Sequence, residues 1–296
     1  MSNTTADLRR KIAGAGDLQS VVRTMKAVAA SSIGQYEQSV SALGDFYHAV
    51  ELGLGACFRE SGPAPLIAEP KGKVAAGAIG AVVFGSDQGL VGQFNDLVAD
   101  YAATTLAALQ AKTEVWAVGA RVHEALTDVG LPPVGLFGVP NSVTAITPLV
   151  GQILVDTDAR QQHGEVTELH LFYNRTTSGA GYAPVDQRLL PLDETWRSRL
   201  AKIPWPARNL PEVLGEGTAT LRALIRGYLF VSLFRACAES LASENASRLA
   251  AMQRADKNID DLLETLNAKF HRLRQGSIDE ELFDVVSGFE ALTSKE

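Results

Sequence analysis

A long run of apolar residues, spaced alternately four and three positions apart, constrains this chain more than any other feature. The run extends from Leu8 to Leu54 without a proline, and only Gln19 and Lys26 place polar side chains in it. A seam kept over many heptads is typical of a helix that pairs with another helix in a coiled coil. At about 1.5 Å per residue this helix would be roughly 70 Å long, more than an ordinary globular domain contains.

A second seam of the same kind occupies the end of the chain. No proline follows Pro211, and the apolar spacing runs from Leu221 to Leu273, slips by one position, and resumes from Ile278 to Leu292. Burying one Leu or Val contributes about 1.5–3 kcal/mol, so neither helix can leave its stripe in water. We therefore predict an antiparallel pair. The second helix is the longer, and its projecting apolar end indicates an enclosing surface supplied by another protein.

The first helix gives a similar indication. Between Leu18 and Ile33 apolar or small residues occupy several of its faces, as is typical of an enclosed helix. Periodicity alone does not distinguish a pair enclosed by a partner from an arm folded onto its own domain, or from a homodimer.

The middle of the chain has a different rhythm, in which short β-rich runs alternate with helical patterns. We predict strands and helices in the order Ala78–Phe84, Asp96–Gln110, Glu114–Val118, Val122–Val129, Ala145–Asp158 and Val166–Tyr173. This alternation predicts βαβ units and a mainly parallel sheet. The expected fold class is α/β: a long antiparallel coiled coil of N- and C-terminal helices with an inserted Rossmann-like α/β domain. The predicted boundaries are 1–58 for the first helix, 72–210 for the α/β domain and 212–296 for the last helix.

Composition narrows the classes of function. A formal net charge of −7 opposes broad binding to phosphate backbones, so we expect no nucleic-acid partner. No apolar run reaches the roughly 18 residues of a membrane span, and the polar N-terminus lacks the apolar stretch of a signal peptide. Cys57 and Cys237 belong to no metal-ligand spacing, and the five histidines are scattered. We expect no metal and no cofactor.

A glycine-rich turn follows the first predicted strand and is the place where a nucleotide site would be sought. Gly85, Gly89 and Gly92 are spaced G-x3-G-x2-G, which is neither a dinucleotide fingerprint nor a phosphate loop with its lysine. The spacing therefore gives little support to an enzyme that binds a nucleotide here.

Six segments spread along nearly the whole chain carry a recognisable pattern: Val22–Ser31 (VRTMKAVAAS), Gly85–Asn95 (GSDQGLVGQFN), Leu171–Arg175, Glu239–Met252, Arg274–Ile278 and Glu281–Gly288 (ELFDVVSG). In the same order they resemble segments of the γ subunit of F-type ATP synthases and ATPases, in which the second segment reads SDRGLCGGLN. Gln88, Val91 and Gln93 depart from the usual residues of that family. The chain is therefore identified as a divergent member, and the departures suggest the hypothesis of an alternative F-type ATPase beside a housekeeping one.

The resemblance implies a rotating central stalk without a catalytic site, which couples ion translocation through the membrane ring to ATP synthesis or hydrolysis on the β subunits. It implies α and β subunits around the coil, the ε subunit and the c ring at the foot, and a peripheral place on the cytoplasmic side of the cell membrane. A non-rotary coiled-coil scaffold or regulator, and with least support a Rossmann-like nucleotide-binding enzyme, stay open as alternatives.

Contact residues follow from the resemblance and, for the four residues from Ile278 to Phe289, from the projecting apolar end of the last helix. Those expected to contact the ring of α and β subunits are Arg23, Met25, Lys26, Glu244, Arg248, Gln275, Ile278, Leu282, Val285 and Phe289. Those expected at the foot, toward the ε subunit and the c ring, are Ser86, Asp87, Gln88, Gly89 and Asn95.

Overall fold

Two long helices and a five-stranded sheet dominate the part of the chain that the computed structural model describes, which is residues 4–60, 77–177, 181–209, 211–212 and 217–293. The elements in chain order are α1 (Thr5–Glu60), β1 (Ala78–Phe84), α2 (Phe94–Ala108), β2 (Thr113–Val118), α3 (Ala120–Asp128), β3 (Gly135–Phe137), α4 (Val143–Gln162), β4 (Val166–Thr177), β5 (Gly181–Leu190), α5 (Glu194–Ala201) and α6 (Gly217–Thr293). The predicted fold class, with a long helix at each end of an α/β domain, is confirmed. The chain divides into two units, Ala30–Arg248 and the combination of Met1–Ala29 with Leu249–Glu296.

The sheet lies in the unit Ala30–Arg248 and has the strand order β3-β2-β1-β4-β5. The pairs β3–β2, β2–β1 and β1–β4 are parallel, as predicted, whereas β5 is antiparallel to β4. The predicted runs correspond to β1, β2 and β4. Strands β3 and β5 were not predicted, because β3 has three residues and β5 carries Pro184, Asp186 and Arg188 instead of an apolar run.

The central strand β1 is buried along its whole length and separates two apolar layers. Ile79, Ala81 and Val83 pack in the layer that contains α2 and α3. Val82 and Phe84 pack in the layer that contains α4 and residues of α1 and α6. This alternation follows from the two-residue period of a strand, and burial on both faces explains why β1 is an unbroken apolar run.

Within the same unit, α1 and α6 pack side by side. The rings of Tyr47 and Tyr228 lie 5.7 Å apart between centroids, and Trp196 of α5 lies 5.1 Å from Tyr228 and 5.6 Å from Phe58. The guanidinium of Arg59 donates to the carbonyl oxygen of Ile203 at 2.9 Å. Helix α5 and the residues after it therefore cover the C-terminal end of α1.

In the other unit, the first part of α1 pairs with the later part of α6. The guanidinium of Arg9 lies 5.3 Å from the centroid of the Phe270 ring, while Lys26 reaches back to Asp256. Residues early in α1 thus contact residues late in α6, as an antiparallel pair requires. The buried apolar residues of this unit's seam are Leu8, Ala15, Ala29, Met252 and Leu266.

Candidate partner-binding surfaces and the turn after β1

The turn after β1 is held by hydrogen bonds between its own two ends. The amide oxygen of Asn95 accepts the backbone N–H of Ser86 at 2.9 Å, and the Asn95 amide nitrogen donates to the Ser86 hydroxyl at 2.9 Å. That hydroxyl donates to the carbonyl of Gln88, also at 2.9 Å. Ser86 and Asn95 are buried. Their polar groups therefore bind each other, and a contact between these two side chains and a partner stays a prediction that this burial does not support.

The carboxylate of Asp87 joins the turn to two other segments. One oxygen accepts the backbone N–H of Ala120 at 2.9 Å, and the other accepts that of Val139 at 2.9 Å. Ala120 is the first residue of α3, and Gly119 before it has no side chain to cap the helix. Asp87 thus supplies a negative charge at a helix N-terminus, where the helix dipole and free N–H groups favour an anion. A phosphate group at that helix end would meet this carboxylate.

Two glycines allow the close packing beneath the turn. A Cβ atom at Gly85 would lie 2.3 Å from Cβ of Val122 and 2.6 Å from the amide oxygen of Asn95. Gly119 has a φ of 120°, and a Cβ atom there would lie 2.7 Å from the carbonyl oxygen of Ser86. Gly85 and Gly119 therefore serve contacts within the chain rather than the approach of a nucleotide.

Five residues of the turn are exposed and Gly89 is half-buried; the exposed residues are Asp87, Gln88, Leu90, Gly92 and Gln93. Leu90 is 60% exposed and has a φ of 64°, in the left-handed region that side chains rarely adopt. The neighbouring carbonyl of Val91 accepts the hydroxyl of Ser247 at 2.5 Å, which ties the turn to α6. Of the predicted foot residues, Ser86, Asp87 and Asn95 use their side chains in hydrogen bonds within the chain. Gln88 and Gly89 are therefore the two that contribute least to the structure of the turn.

Glu244 and Arg248 lie on α6 close to this turn. The Arg248 guanidinium donates to the Glu244 carboxylate at 2.6 Å, and Glu244 is 5% exposed. The side chain of Glu244 is thus buried within the unit Ala30–Arg248. The predicted contact with a ring of α and β subunits stays a prediction for both residues.

On the helix pair, Arg23 and Lys26 each direct a nitrogen to a carboxylate oxygen of Asp256, at 3.4 Å. Although desolvation acts to raise the pKa of Asp256, the bonds and charges of the two cations together hold that pKa below its usual value. Arg23 stays largely exposed, and Met25 is half-buried. Sequence reasoning did not find Asp256 as the partner of these cations, although the break that Lys26 makes in the first seam was visible.

The end of α6 is exposed over many apolar residues. Ile278, Leu282, Phe283, Val285 and Val286 are 47–72% exposed, and Gln275 is exposed before them. At 100° per residue these five side chains spread over about 160° of the helix, which is wider than a coiled-coil seam. The side chain of Phe289 lies outside the described part of the chain.

Sequence reasoning missed two residues that hold the turn and strand β4 in place. Asn174 on β4 is buried and donates to the carbonyl of Phe94, the first residue of α2, at 2.8 Å. Glu239 on α6 accepts from Arg175 at 2.7 Å and from Arg235 at 2.8 Å. A polar residue within a buried strand was the available signal for Asn174.

Neither a metal site nor a membrane span is found in the described ranges. Within residues 4–60, 77–177, 181–209, 211–212 and 217–293, no group of three or more His, Cys, Asp or Glu side chains could hold a metal ion. Among the helices formed by those residues, none combines the length and apolarity needed to cross a bilayer.

Comparison with solved structures defines the class of fold. A chain of the Euglena gracilis mitochondrial ATP synthase superposes with a TM-score of 0.61 at 18% identity, covering 97% of this chain and 94% of that one. A chain of the Tetrahymena thermophila ATP synthase central stalk and c-ring structure superposes with a TM-score of 0.56 at 21% identity, covering 79% and 99%. The fold, in which an α/β domain stands in the chain between two long helices, is thus one found in ATP synthase structures.

Sequence comparison then gives the family. The family model described as ATP synthase matches residues 4–292. The ATP synthase gamma chain of Hyphomonas neptunium is 29% identical, covering 97% of this chain and 98% of that relative. That of Mycolicibacterium paratuberculosis is 28% identical, covering 99% of each. The chain belongs to this ATP synthase family, and its predicted resemblance to γ subunits is confirmed.

Proposed function

We propose that this chain is the rotating central stalk of an F-type ATP synthase or ATPase. In this role it couples ion translocation through a membrane ring to ATP synthesis or hydrolysis on β subunits, and it carries no catalytic site itself. The family match over residues 4–292 supports the γ-subunit role. We also retain the division into a first helix (1–58), an α/β foot (72–210) and a last helix (212–296) as a proposal.

The observation that carries the mechanical part of the proposal is the exposed apolar end of α6. One partner helix would cover a narrow stripe, whereas a surface of about 160° needs an enclosing partner. A smooth apolar contact also has few directional bonds to break when the helix turns. Because the helix pair is not symmetric, it contacts each surrounding subunit differently, and such differential contact is what can shift a subunit between conformations.

The partners and location follow as parts of the same proposal. The helix pair lies within a ring of α and β subunits, and the exposed turn at Gln88 and Gly89 faces the ε subunit and the c ring. The complex places the chain peripherally on the cytoplasmic side of the membrane. The carboxylate of Asp87 at the start of α3 argues against the nucleotide-binding alternative, because a phosphate there would be repelled.

The test is ATPase activity of reconstituted α and β subunits with the full chain, with no chain, and with the chain truncated after Gln275. We expect the full chain to stimulate turnover and the truncated chain to stimulate it less. The unfolding transition of the truncated chain should be unchanged, because residues 276–287, the part of the removed segment whose side chains the structure describes, are exposed. The pair of substitutions Leu282→Ser and Val285→Ser should act like the truncation. Asp279→Ser with Asp284→Ser is the matched control on the same exposed helix.

Three results would count against this proposal. Turnover that is independent of the chain would remove the coupling role, and a truncated chain with full stimulation would remove the role of the α6 end. Copurification with proteins other than α and β subunits would favour the scaffold alternative.

A further inference from the structure

Glu244 carries a buried carboxylate in which the two oxygen atoms differ in their hydrogen bonding. Oε1 accepts from a guanidinium nitrogen of Arg248 at 2.6 Å, whereas Oε2 has no hydrogen-bond partner among the described residues. The Glu244 side chain is 6% exposed and that of Arg248 is 14% exposed. A buried ion pair of this kind is not a strong source of stability, because desolvation of the two charges offsets much of their attraction.

The groups that face Glu244 come from three elements. Tyr36 approaches from α1, Cys237 lies on α6, and Asp87 lies in the turn after β1. Burial, with a smaller contribution from the Glu244 charge, raises the pKa of both Tyr36 and Cys237, so both are uncharged near neutral pH. Arg248 is therefore the positive charge beside Glu244, and Asp87 adds a second negative one.

These surroundings disfavour the ionised form of Glu244. Burial raises its pKa, the bond from Arg248 opposes the rise without cancelling it, and the Asp87 charge adds to it. An unperturbed glutamate has a pKa of about 4.3, so the folded chain takes up a proton here at a pH where exposed glutamates are ionised. The unpartnered Oε2 is the atom that can accept this proton.

We propose that Glu244 is a proton-responsive latch for Arg248, which retains the guanidinium inside the chain when ionised and releases it when neutral. On protonation the charge-assisted bond to Oε1 becomes a weaker bond to a neutral acceptor. Arg248 keeps its charge and, being partly exposed, becomes available to a carboxylate outside the chain. Solution pH thereby controls whether this arginine serves the fold or a partner.

The first test is equilibrium unfolding of the full chain between about pH 4.5 and 8, for the wild type, Glu244→Gln and the control Glu264→Gln, an exposed residue of the same helix. A folded pKa above the unfolded value gives stability that is complete below the unfolded pKa and lost as pH rises through the folded pKa. The wild type should therefore lose stability relative to Glu244→Gln as pH rises. Each unit of pKa difference corresponds to about a tenfold change in the ratio of unfolding constants. Glu264→Gln should track the wild type.

The second test follows Arg248 directly, by mass spectrometry after labelling with a guanidine-specific reagent, with the exposed Arg254 as internal reference. In the wild type the ratio of Arg248 to Arg254 labelling should rise as pH falls, whereas in Glu244→Gln it should be high throughout. Arg248→Gln removes the opposing charge and should shift the stability transition to higher pH. A labelling ratio that does not change with pH in the wild type, or a wild type that gains stability over Glu244→Gln as pH rises, would overturn the proposal.

Discussion

Asn95→Ala tests the claim that the turn after β1 is stabilised from within. The substitution removes the amide oxygen that accepts the Ser86 N–H and the amide nitrogen that donates to the Ser86 hydroxyl, both at 2.9 Å. The N–H and the hydroxyl of Ser86 cannot bind water instead, because Ser86 is fully buried. The change therefore deletes two bonds and also leaves a buried backbone donor without a partner.

The magnitude follows from these three losses. Each neutral hydrogen bond contributes about 0.5–1.5 kcal/mol net, and an unsatisfied buried donor costs about 1–3 kcal/mol. We expect the free energy of unfolding of the α/β domain to fall by about 2–6 kcal/mol. Gln93→Ala, two positions earlier in the same turn, is the matched control because Gln93 is exposed and makes no side-chain cap bond.

The assay is urea unfolding followed by tryptophan fluorescence, in which Trp116 reports on the sheet from its buried position on β2. Asn95→Ala should unfold at a clearly lower urea concentration than Gln93→Ala, which should match the wild type within about 0.5 kcal/mol. Equal stability of the two variants would refute the reasoning, because it would mean that the Ser86–Asn95 bonds contribute nothing that water or a shifted backbone cannot replace.

Two further changes test the glycine contact and the helix pair. Gly85→Ala places a Cβ atom 2.3 Å from Cβ of Val122. We expect the free energy of unfolding, measured in urea, to fall by about 1–3 kcal/mol. Gly89→Ala is the control and should show no comparable fall, because a Cβ atom there would meet open space. Asp256→Asn should lower the melting temperature more at pH 7 than at acid pH, because a lowered folded pKa gives stability that is present above the unfolded pKa and is lost as pH falls through the folded pKa. A pH-independent difference, or one unaffected by salt, would argue against the ion pair with Lys26 as its cause.

The regular parts of the fold were accessible from the sequence because their signals are long. The seam from Leu8 to Leu54 repeats over many turns, and β1 is an apolar run buried on both faces. Strand β5 was not accessible, because it lies at the edge of the sheet and its residues are mostly half-buried or exposed. The antiparallel pairing of β5 with β4 depends on tertiary packing rather than on a local pattern.

The candidate site could be proposed from the sequence as a segment, but the directions of its side chains could not. Family resemblance pointed to Ser86–Asn95 without distinguishing Ser86 and Asn95, which bind each other, from Gln88, which lies at the surface. Glu244 shows the same limit, since a charged residue on a long helix is expected in water unless its burial by a distant segment is known. Sequence distance hides such burial, because Tyr36 and Asp87 reach Glu244 from other elements.

The polar breaks in the first seam have a physical role that the heptad pattern alone does not give. Gln19 and Lys26 both direct nitrogens to Asp256 on α6, at 3.4 Å, so the breaks form one polar layer between the helices. A polar residue at a seam position favours the register in which it finds its partner, at some cost in stability. A shift of one heptad would replace Gln19 or Lys26 beside Asp256 with an apolar residue of the seam, such as Ile12. The layer therefore favours one antiparallel register, and in that register the end of α6 exposes apolar side chains that no described part of α1 covers.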